Sequence, residues 1–100
     1  MILRFRWHPE KAAKNIRDHG ISFDEASKVF DDPFSLTDEN LEYGGEQRKE
    51  IIGAAISGVI LHVTYVDWIE GLDVITRIIS ARKATPVSYT HLTLPTNREV

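Results

Sequence analysis

Apolar and basic residues alternate at the start of the chain. Leu3, Phe5 and Trp7 are separated by Arg4 and Arg6. A period of two places the apolar side chains on one face and the arginines on the other, which predicts a short β-strand. Trp7 falls on the apolar face, so we expect it to lie in the core.

The pattern changes to a helical period over residues 10–19, where Ala12 and Ile16 share one stripe. Pro9 suits the first turn of a helix because no backbone N–H is needed there. Gly20 suits the helix end, since glycine readily adopts the left-handed conformation. The sequence therefore predicts one helix that stops at Gly20.

A second, shorter helix is predicted directly afterwards. Ser22 and Glu25 have the spacing of a capping box, in which Ser22 accepts from the Glu25 amide and Glu25 reaches back. Pro33 marks its end, because proline cannot continue a helix. The apolar residues of this helix are expected to point inward: Phe23, Ala26, Val29 and Phe30.

The remaining apolar segments predict four strands, at residues 34–37, 48–55, 59–66 and 74–82. They are linked by an acidic mobile loop at 38–47, a hairpin turn at Ser57-Gly58 and a connection at 68–72. Short links favour antiparallel pairing. The element order β-α-α-β-β-β-β therefore predicts an α+β fold, with both helices packed on one face of an antiparallel meander.

The composition is that of one globular domain, and it narrows the possible chemistry. The chain has 100 residues and no cysteine, which excludes disulfides, thiolate zinc sites and cysteine nucleophiles. No apolar run approaches the roughly 18 residues that span a bilayer. The start of the chain is too short and too charged for a secretory signal. We therefore expect a cytoplasmic protein with no membrane partner.

The net charge of −3 is unevenly distributed, since residues 31–50 hold seven acidic and two basic side chains. This balance argues against a tight, nonspecific coat on nucleic acid. A local basic site stays open as an alternative, because charges act over only about 8 Å at physiological salt.

The last residues of the chain break the pattern. Residues 86–100 show neither a helical nor a strand period. We therefore expect a domain over residues 1–85, followed by an irregular tail that is non-native and replaces a natural C-terminus. A frayed native terminus is the alternative.

Three segments of the chain share the order and spacing of a known family. The first contains the spacing K-x-x-x-N-x-x-x-H-G, from Lys11 to Gly20. The segments are residues 5–23, residues 26–33 with 46–48, and residues 77–85. Together they resemble the BrnT family of type II toxin–antitoxin ribonucleases, over nearly all of residues 3–85.

The resemblance implies a RelE-like fold and RNA cleavage that needs no metal or other cofactor and inhibits translation. It also implies neutralisation by a BrnA-type antitoxin, and DNA binding only through that antitoxin. The chain departs from the family in two places. The connection at 67–73 is longer and less basic, and no basic, tyrosine-containing helix follows residue 85. If that helix supplies cations or an acid, this form of the enzyme is weakened or inactive.

Metal-independent RNA cleavage needs cations beside the strained phosphate. Arginine suits this task because its planar fork grips two phosphate oxygens and stays protonated. The family match falls on Arg48, Arg77 and Arg82, which are the candidate catalytic arginines. Arg77 and Arg82 point to opposite faces of a regular strand, unless a bulge near Ser80 realigns them. Surface ion pairs or plain solvation are the alternative for all three.

Two further side chains are candidates for proton transfer. His62 is one, because histidine is the residue type most often used for acid–base chemistry, and Tyr65 on the same predicted strand is the other. A structural histidine and a core tyrosine are the alternatives. The candidate RNA-binding residues are Lys11, Lys49, Lys83 and Trp68. Trp7 could also stack on a base, although a core position is favoured for it. No histidine or carboxylate spacing is typical of a metal site, so we predict no metal and no cofactor.

A second function class fits the same residues. The chain is then a noncatalytic interaction module that binds a DNA-binding antitoxin and acts in transcriptional regulation. The net negative charge and the missing basic helix favour this alternative. Toxicity on expression alone distinguishes the two classes.

Overall fold

The computed structural model describes residues 2–43 and 46–85, which form five strands and two helices. In chain order the elements are β1 (Ile2–Arg6), α1 (Pro9–His19), α2 (Phe23–Ser27), a 3-10 turn (Lys28–Asp31), β2 (Leu36–Tyr43), β3 (Glu46–Ala54), β4 (Ile60–Glu70) and β5 (Asp73–Lys83). The predicted α+β class with two helices is confirmed. The tail at residues 86–100, predicted to be irregular and non-native, lies outside the described residues.

The five strands form one mixed sheet in the order β1-β5-β4-β3-β2. Strands β2 to β5 make the expected antiparallel meander, but β1 pairs in parallel with β5. The prediction of a wholly antiparallel sheet was therefore wrong for one strand. No short link joins β1 to β5, so connection length does not set their relative direction.

The acidic segment at 38–47 is not the predicted loop. Strand β2 runs as far as Tyr43 and β3 begins at Glu46, and the two pair from Leu36 opposite Ile52 to Tyr43 opposite Glu46. Ladder hydrogen bonds join backbone groups, so charged side chains do not prevent them. The prediction of a loop was wrong because it was based on the acidic side chains of the segment.

The connection predicted at 68–72 is also shorter than expected. Strand β4 continues to Glu70, which pairs with Asp73 at the start of β5. Gly71 has a φ of +63°, the left-handed backbone that a tight turn needs and that glycine adopts without strain. A two-residue turn therefore replaces the five-residue connection.

Both helices cover one face of the sheet, called the helix face below. The buried cluster joins residues of α2 and the 3-10 turn to residues of β4 and β5, including Phe23, Ala26, Val29, Val63, Tyr65 and Ile78. Phe30 packs against this cluster, so the predicted inward face of the second helix is confirmed. The opposite side of the sheet, called the far face, carries the alternate residues of each strand.

The helix ends follow the local sequence signals. Gly20 has a φ of +72°, and its N–H donates to Ile16 O over 2.8 Å. Ser22 Oγ accepts from Glu25 N over 3.0 Å, while the Glu25 carboxylate accepts from Ser57 Oγ instead of reaching back to Ser22. Within residues 2–43 and 46–85, no helix is long and apolar enough to cross a membrane.

A bulge interrupts β5 beside the middle of β4. Thr64 pairs with Ser80, whereas the next residue, Tyr65, pairs with Ile78. Strand β5 therefore contains one extra residue at Ile79. A bulge of this kind shifts the alternation of side chains by one position.

Core packing shows the effect of this shift. Ile78 and Ala81 are three residues apart, yet both belong to the buried cluster on the helix face. A regular strand would place them on opposite faces. By the same shift, Arg77 and Arg82 both fall on the far face. The sequence allowed opposite faces in a regular strand or one shared face after a bulge, and the structure has the bulge.

Asn15 attaches α1 to β5. Its Nδ2 donates to Ala81 O over 2.8 Å and to Ile21 O over 2.9 Å, and its Oδ1 accepts from Ala81 N over 3.1 Å. Asn15 is buried, whereas Ile16 on the predicted apolar stripe is 51% exposed. The side chain of Asn15 thus holds α1 against the sheet, because its amide hydrogen-bonds the backbone of β5 as a neighbouring strand would.

Candidate functional site

Two adjoining cavities lie beside the part of β5 that extends beyond β1, where residues of α1 and far-face arginines of the sheet line the same space. Their volumes are about 310 and 320 Å³, and they share Lys11, Arg48 and Ile79. We call them together the cationic groove. The side chains that give the groove its chemistry are Arg6, Trp7, His8, Lys11, Lys14, Asp18, Arg48 and Arg77.

Two arginines approach the groove from either side of Val66. Arg77 pairs with Val66 in the register of β4 and β5. Lys49 pairs with Tyr65, so Arg48 comes beside Val66 from β3. The two arginine Cα atoms are therefore two strand spacings apart, roughly 10 Å. Both side chains line the first cavity, an arrangement suited to gripping one anion between them.

A third arginine extends this row. Arg6 pairs with Arg77 in the parallel register of β1 and β5, and it also lines the first cavity. Its Nη2 lies 3.3 Å from Glu70 Oε1, and both side chains are more than half exposed. Solvent screens such a pair, so Arg6 keeps much of its capacity to bind a second anion.

Lys11 and Lys14 contribute the positive charge of α1. Lys14 pairs with Asp18 one turn later, and the hydrogen bond from Lys14 holds the pKa of Asp18 below its usual range. Across the part of the chain that the structure describes, Lys11 makes no ion pair. Asp18 is the lone carboxylate against five cations among the described lining residues. The groove is thus positive in a chain of net charge −3.

Trp7 and His8 complete the groove at the entry to α1. His8 caps the helix, and its Nδ1 accepts from Glu10 N over 3.3 Å. Trp7 is 36% exposed rather than part of the core cluster. Sequence reasoning missed both as groove residues, together with Arg6. Only the family spacing, which runs through residues 5–12, could have indicated that Arg6, Trp7 and His8 belong to a functional site.

Arg82 and His62 lie on the far face but outside the lining of the groove. They pair with each other across β4 and β5. His62 is 7% exposed, and its Nε2 lies 2.8 Å from Glu50 Oε1, in a contact that is not aligned as a hydrogen bond. Their predicted catalytic roles stay predictions.

Tyr65 and Lys49 lie on the helix face. Tyr65 is 5% exposed, and its ring meets Phe30 edge-on, with centroids 4.9 Å apart. Lys49 Nζ lies 2.8 Å from Asp67 Oδ1. The sheet therefore separates both residues from Arg48 and Arg77, and their assigned roles are not tested by this placement.

The other two predicted RNA-binding residues also do not line the groove. Lys83 is exposed near the end of β5 and pairs with Leu61. Trp68 Nε1 donates to Glu70 Oε2 over 3.1 Å, and this bond, followed by the charge of Arg6, lowers the pKa of Glu70. Of the predicted site residues, the structure brings together Lys11, Arg48 and Arg77.

The described ranges contain no group of three or more histidine, aspartate or glutamate side chains that could hold a metal ion. The groove itself offers mainly guanidinium and ammonium groups. These groups bind anions and do not ligate metals. Its chemistry is therefore that of phosphate or carboxylate recognition.

Comparison with known proteins assigns the chain to a family. The model for "Ribonuclease toxin, BrnT, of type II toxin-antitoxin system" matches residues 7–87. The chain belongs to the BrnT family. The resemblance carried by the three sequence segments is thereby confirmed, and membership of a type II toxin–antitoxin system implies an antitoxin partner.

A solved structure of the family shows the same fold. The chain is similar to the Brucella abortus ribonuclease toxin BrnT, with a TM-score of 0.56 and 20% sequence identity, over 85% of this chain and 99% of the Brucella chain. No curated protein matches the chain. The BrnT fold is thus shared at low sequence identity.

Proposed function

We propose that this BrnT-family chain cleaves RNA without a metal, and that the cationic groove holds the phosphodiester that is cut. The observation that carries the proposal is the convergence of Arg48 and Arg77 on one cavity from either side of Val66. Lys11 joins them from α1. Three cations around one cavity match the charge that RNA cleavage develops at phosphorus.

The groove supplies the electrostatic part of the reaction. In metal-independent cleavage the 2′-oxygen loses its proton and bonds to phosphorus, and the bond from phosphorus to the 5′-oxygen breaks as that oxygen gains a proton. The five-coordinate phosphorus carries additional negative charge on its equatorial oxygens. Arg48 and Arg77 would each donate two parallel N–H groups to those oxygens. Lys11 would add a point charge.

The proton transfers have several candidate residues. Tyr65 and His62 are the predicted ones, although neither lines the groove. His8 is the imidazole that lines the cavity with Arg48 and Arg77. An imidazole titrates closest to neutral pH, which suits it to move protons there.

The biological role follows from family membership. We propose that cleavage inhibits translation, that a BrnA-type antitoxin neutralises the toxin, and that the complex contacts DNA through the antitoxin. The net charge of −3 supports this last point, because domains that bind duplex DNA directly are usually basic.

The test is RNA cleavage by purified Arg77→Gln protein, with Arg17→Gln as a control of equal charge change on the exposed surface of α1. Loss of one groove arginine should slow cleavage by about 100-fold or more, the range for removing one preorganised donor. Arg17→Gln should cleave at the parent rate, and EDTA should leave the parent rate unchanged.

Expression in a bacterial host completes the test. The parent chain should arrest growth, and co-expression of the antitoxin should restore it. Equal cleavage by Arg77→Gln and Arg17→Gln proteins would refute the assignment of the groove. A protein that forms the antitoxin complex but neither cleaves RNA nor arrests growth would favour the noncatalytic interaction module.

A further inference from the structure

Trp7 forms an apolar wall of the cationic groove. It is 36% exposed, and it lines the cavity that also holds Arg48 and Arg77. An aromatic ring beside converging cations is the pairing used by proteins that bind single-stranded nucleic acid. We propose that Trp7 stacks on an unpaired base of single-stranded RNA, next to the phosphate held by the arginines. This inference rests on the proposed function.

The indole of Trp7 is held in place by the core. Its ring meets Phe23 in an edge contact, with centroids 6.0 Å apart and an angle of 73° between the planes. Phe23 is 1% exposed and therefore fixed. A T-shaped contact covers at most one face of the indole. Trp7 stays 36% exposed and lines the cavity, so part of the indole is accessible to a base. An anchored ring also loses little side-chain entropy when the base stacks.

The backbone places Trp7 next to the row of arginines. Arg6 pairs with Arg77 across β1 and β5, and Trp7 is the next residue. Side chains alternate along a strand, so the position of the indole itself follows from the cavity, which it lines together with Arg48 and Arg77. A strand of RNA whose phosphate sits between these arginines has the indole within that cavity. In a duplex the base faces are covered by stacking, so this contact selects single-stranded or splayed-out nucleotides.

Trp68 provides an internal comparison. It is exposed to nearly the same degree, at 38%. However, its indole N–H is bonded to the Glu70 carboxylate over 3.1 Å, and it lines neither cavity of the groove. A carboxylate repels RNA phosphate. Equal exposure in different surroundings thus makes Trp68 the matched control for Trp7.

The experiment uses single-tryptophan proteins, since the chain has two tryptophans. Trp68→Phe keeps Trp7 as the reporter, and Trp7→Phe keeps Trp68. The probe is a short single-stranded 2′-O-methyl RNA, which lacks the attacking hydroxyl group and stays intact. Binding is followed by anisotropy of a labelled probe, and stacking by quenching of tryptophan emission with the unlabelled probe. Trp7 emission should be quenched and Trp68 emission should not.

Two further measurements separate the contribution of the base to binding from that of the phosphates. A probe of the same length without bases should bind about 5- to 100-fold more weakly, the range for loss of one stacked base. Trp7→Ala should lose a similar factor with the complete probe and little with the base-free probe, while Trp7→Phe should retain most of the affinity. Inorganic phosphate and a blunt RNA duplex should leave Trp7 emission unchanged.

The outcomes separate this inference from the proposed function. Binding of the probe without quenching of Trp7, or equal affinity for complete and base-free probes, overturns the stacking role alone. Quenching of Trp68 but not Trp7 overturns it as well. If no probe changes the anisotropy, both the proposed function and the stacking role are refuted. If Trp7→Ala does not fold, the two single-tryptophan proteins and the base-free probe still test whether Trp7 stacks on a base.

Discussion

The two faces of the central strands carry similar basic residues in different surroundings. On the helix face, Lys49 Nζ lies 2.8 Å from Asp67 Oδ1, and each side chain is about a quarter exposed, at 24% and 26%. On the far face, its neighbour Arg48 lines a groove in which cations outnumber carboxylates. A cation beside one carboxylate stabilises the fold, whereas a local excess of cations over carboxylates favours the binding of an anion. The surroundings of a cation, more than its presence, mark the binding site.

The strongest test of this comparison replaces the two neighbours separately. Arg48→Ala should lower RNA cleavage by about 100- to 1000-fold, because it removes one donor to the transition state. Lys49→Ala should leave cleavage near the parent rate and lower the free energy of unfolding by about 1 kcal/mol or less, the usual size for a solvent-accessible ion pair. Cleavage assays and urea denaturation of both proteins provide the two readouts.

The outcome for Lys49 also settles its predicted RNA-binding role. A loss of cleavage as large as that of Arg48→Ala would support the role and erase the contrast between the faces. A small loss of RNA cleavage in both Arg48→Ala and Lys49→Ala would show that the groove takes no part in the reaction.

The next test loosens the element that brings Lys11 to the groove. Asn15→Ala deletes the bonds to Ala81 N and O and to Ile21 O. Buried backbone groups then lack partners, so the free energy of unfolding should fall by about 2–3 kcal/mol. Ile16→Ala, at the exposed neighbouring position, should change it by about 0.5 kcal/mol or less. Equal effects in urea denaturation would contradict the role of Asn15 as a link.

The smallest expected effect comes from the helix face. Tyr65→Phe removes only the hydroxyl group of a ring packed edge-on against Phe30. A residue that transfers protons contributes about 100-fold or more to the rate, whereas loss of one hydrogen bond lowers the free energy of unfolding by about 1 kcal/mol. From its position we expect parent-like cleavage and the small loss of stability. A 100-fold slower enzyme would establish Tyr65 as catalytic.

The helices could be predicted from the sequence because their signals are local. Gly20 ends α1 with a left-handed φ of +72°, and Ser22 caps α2 through its hydroxyl group. Each signal acts within a few residues of the backbone that it stabilises. Strand pairing is different, since β1 meets β5 about 70 positions later, from Ile2 opposite Asp73 onwards. Nothing in the residues of β1 specifies that neighbour.

The groove was predictable only in part for the same reason. Lys11, Arg48 and Arg77 were candidates because the family spacing falls on them, and the fold brings them together. Arg6 and Trp7 join them only because β1 lies beside β5. The bulge at Ile79 depends on the register between two strands, so the shared face of Arg77 and Arg82 could be stated beforehand only as one of two alternatives.

The side chain of Asn15 also covers backbone groups at an edge of the sheet. Strand β1 ends at Arg6, so among residues 2–43 and 46–85 no strand lies beside the edge of β5 beyond Arg77. A bare rim of this kind is a template on which another polypeptide can add itself and start aggregation. Asn15 occupies both hydrogen-bonding groups of Ala81 on that rim. One amide therefore takes the place of an additional strand at this point of the sheet edge.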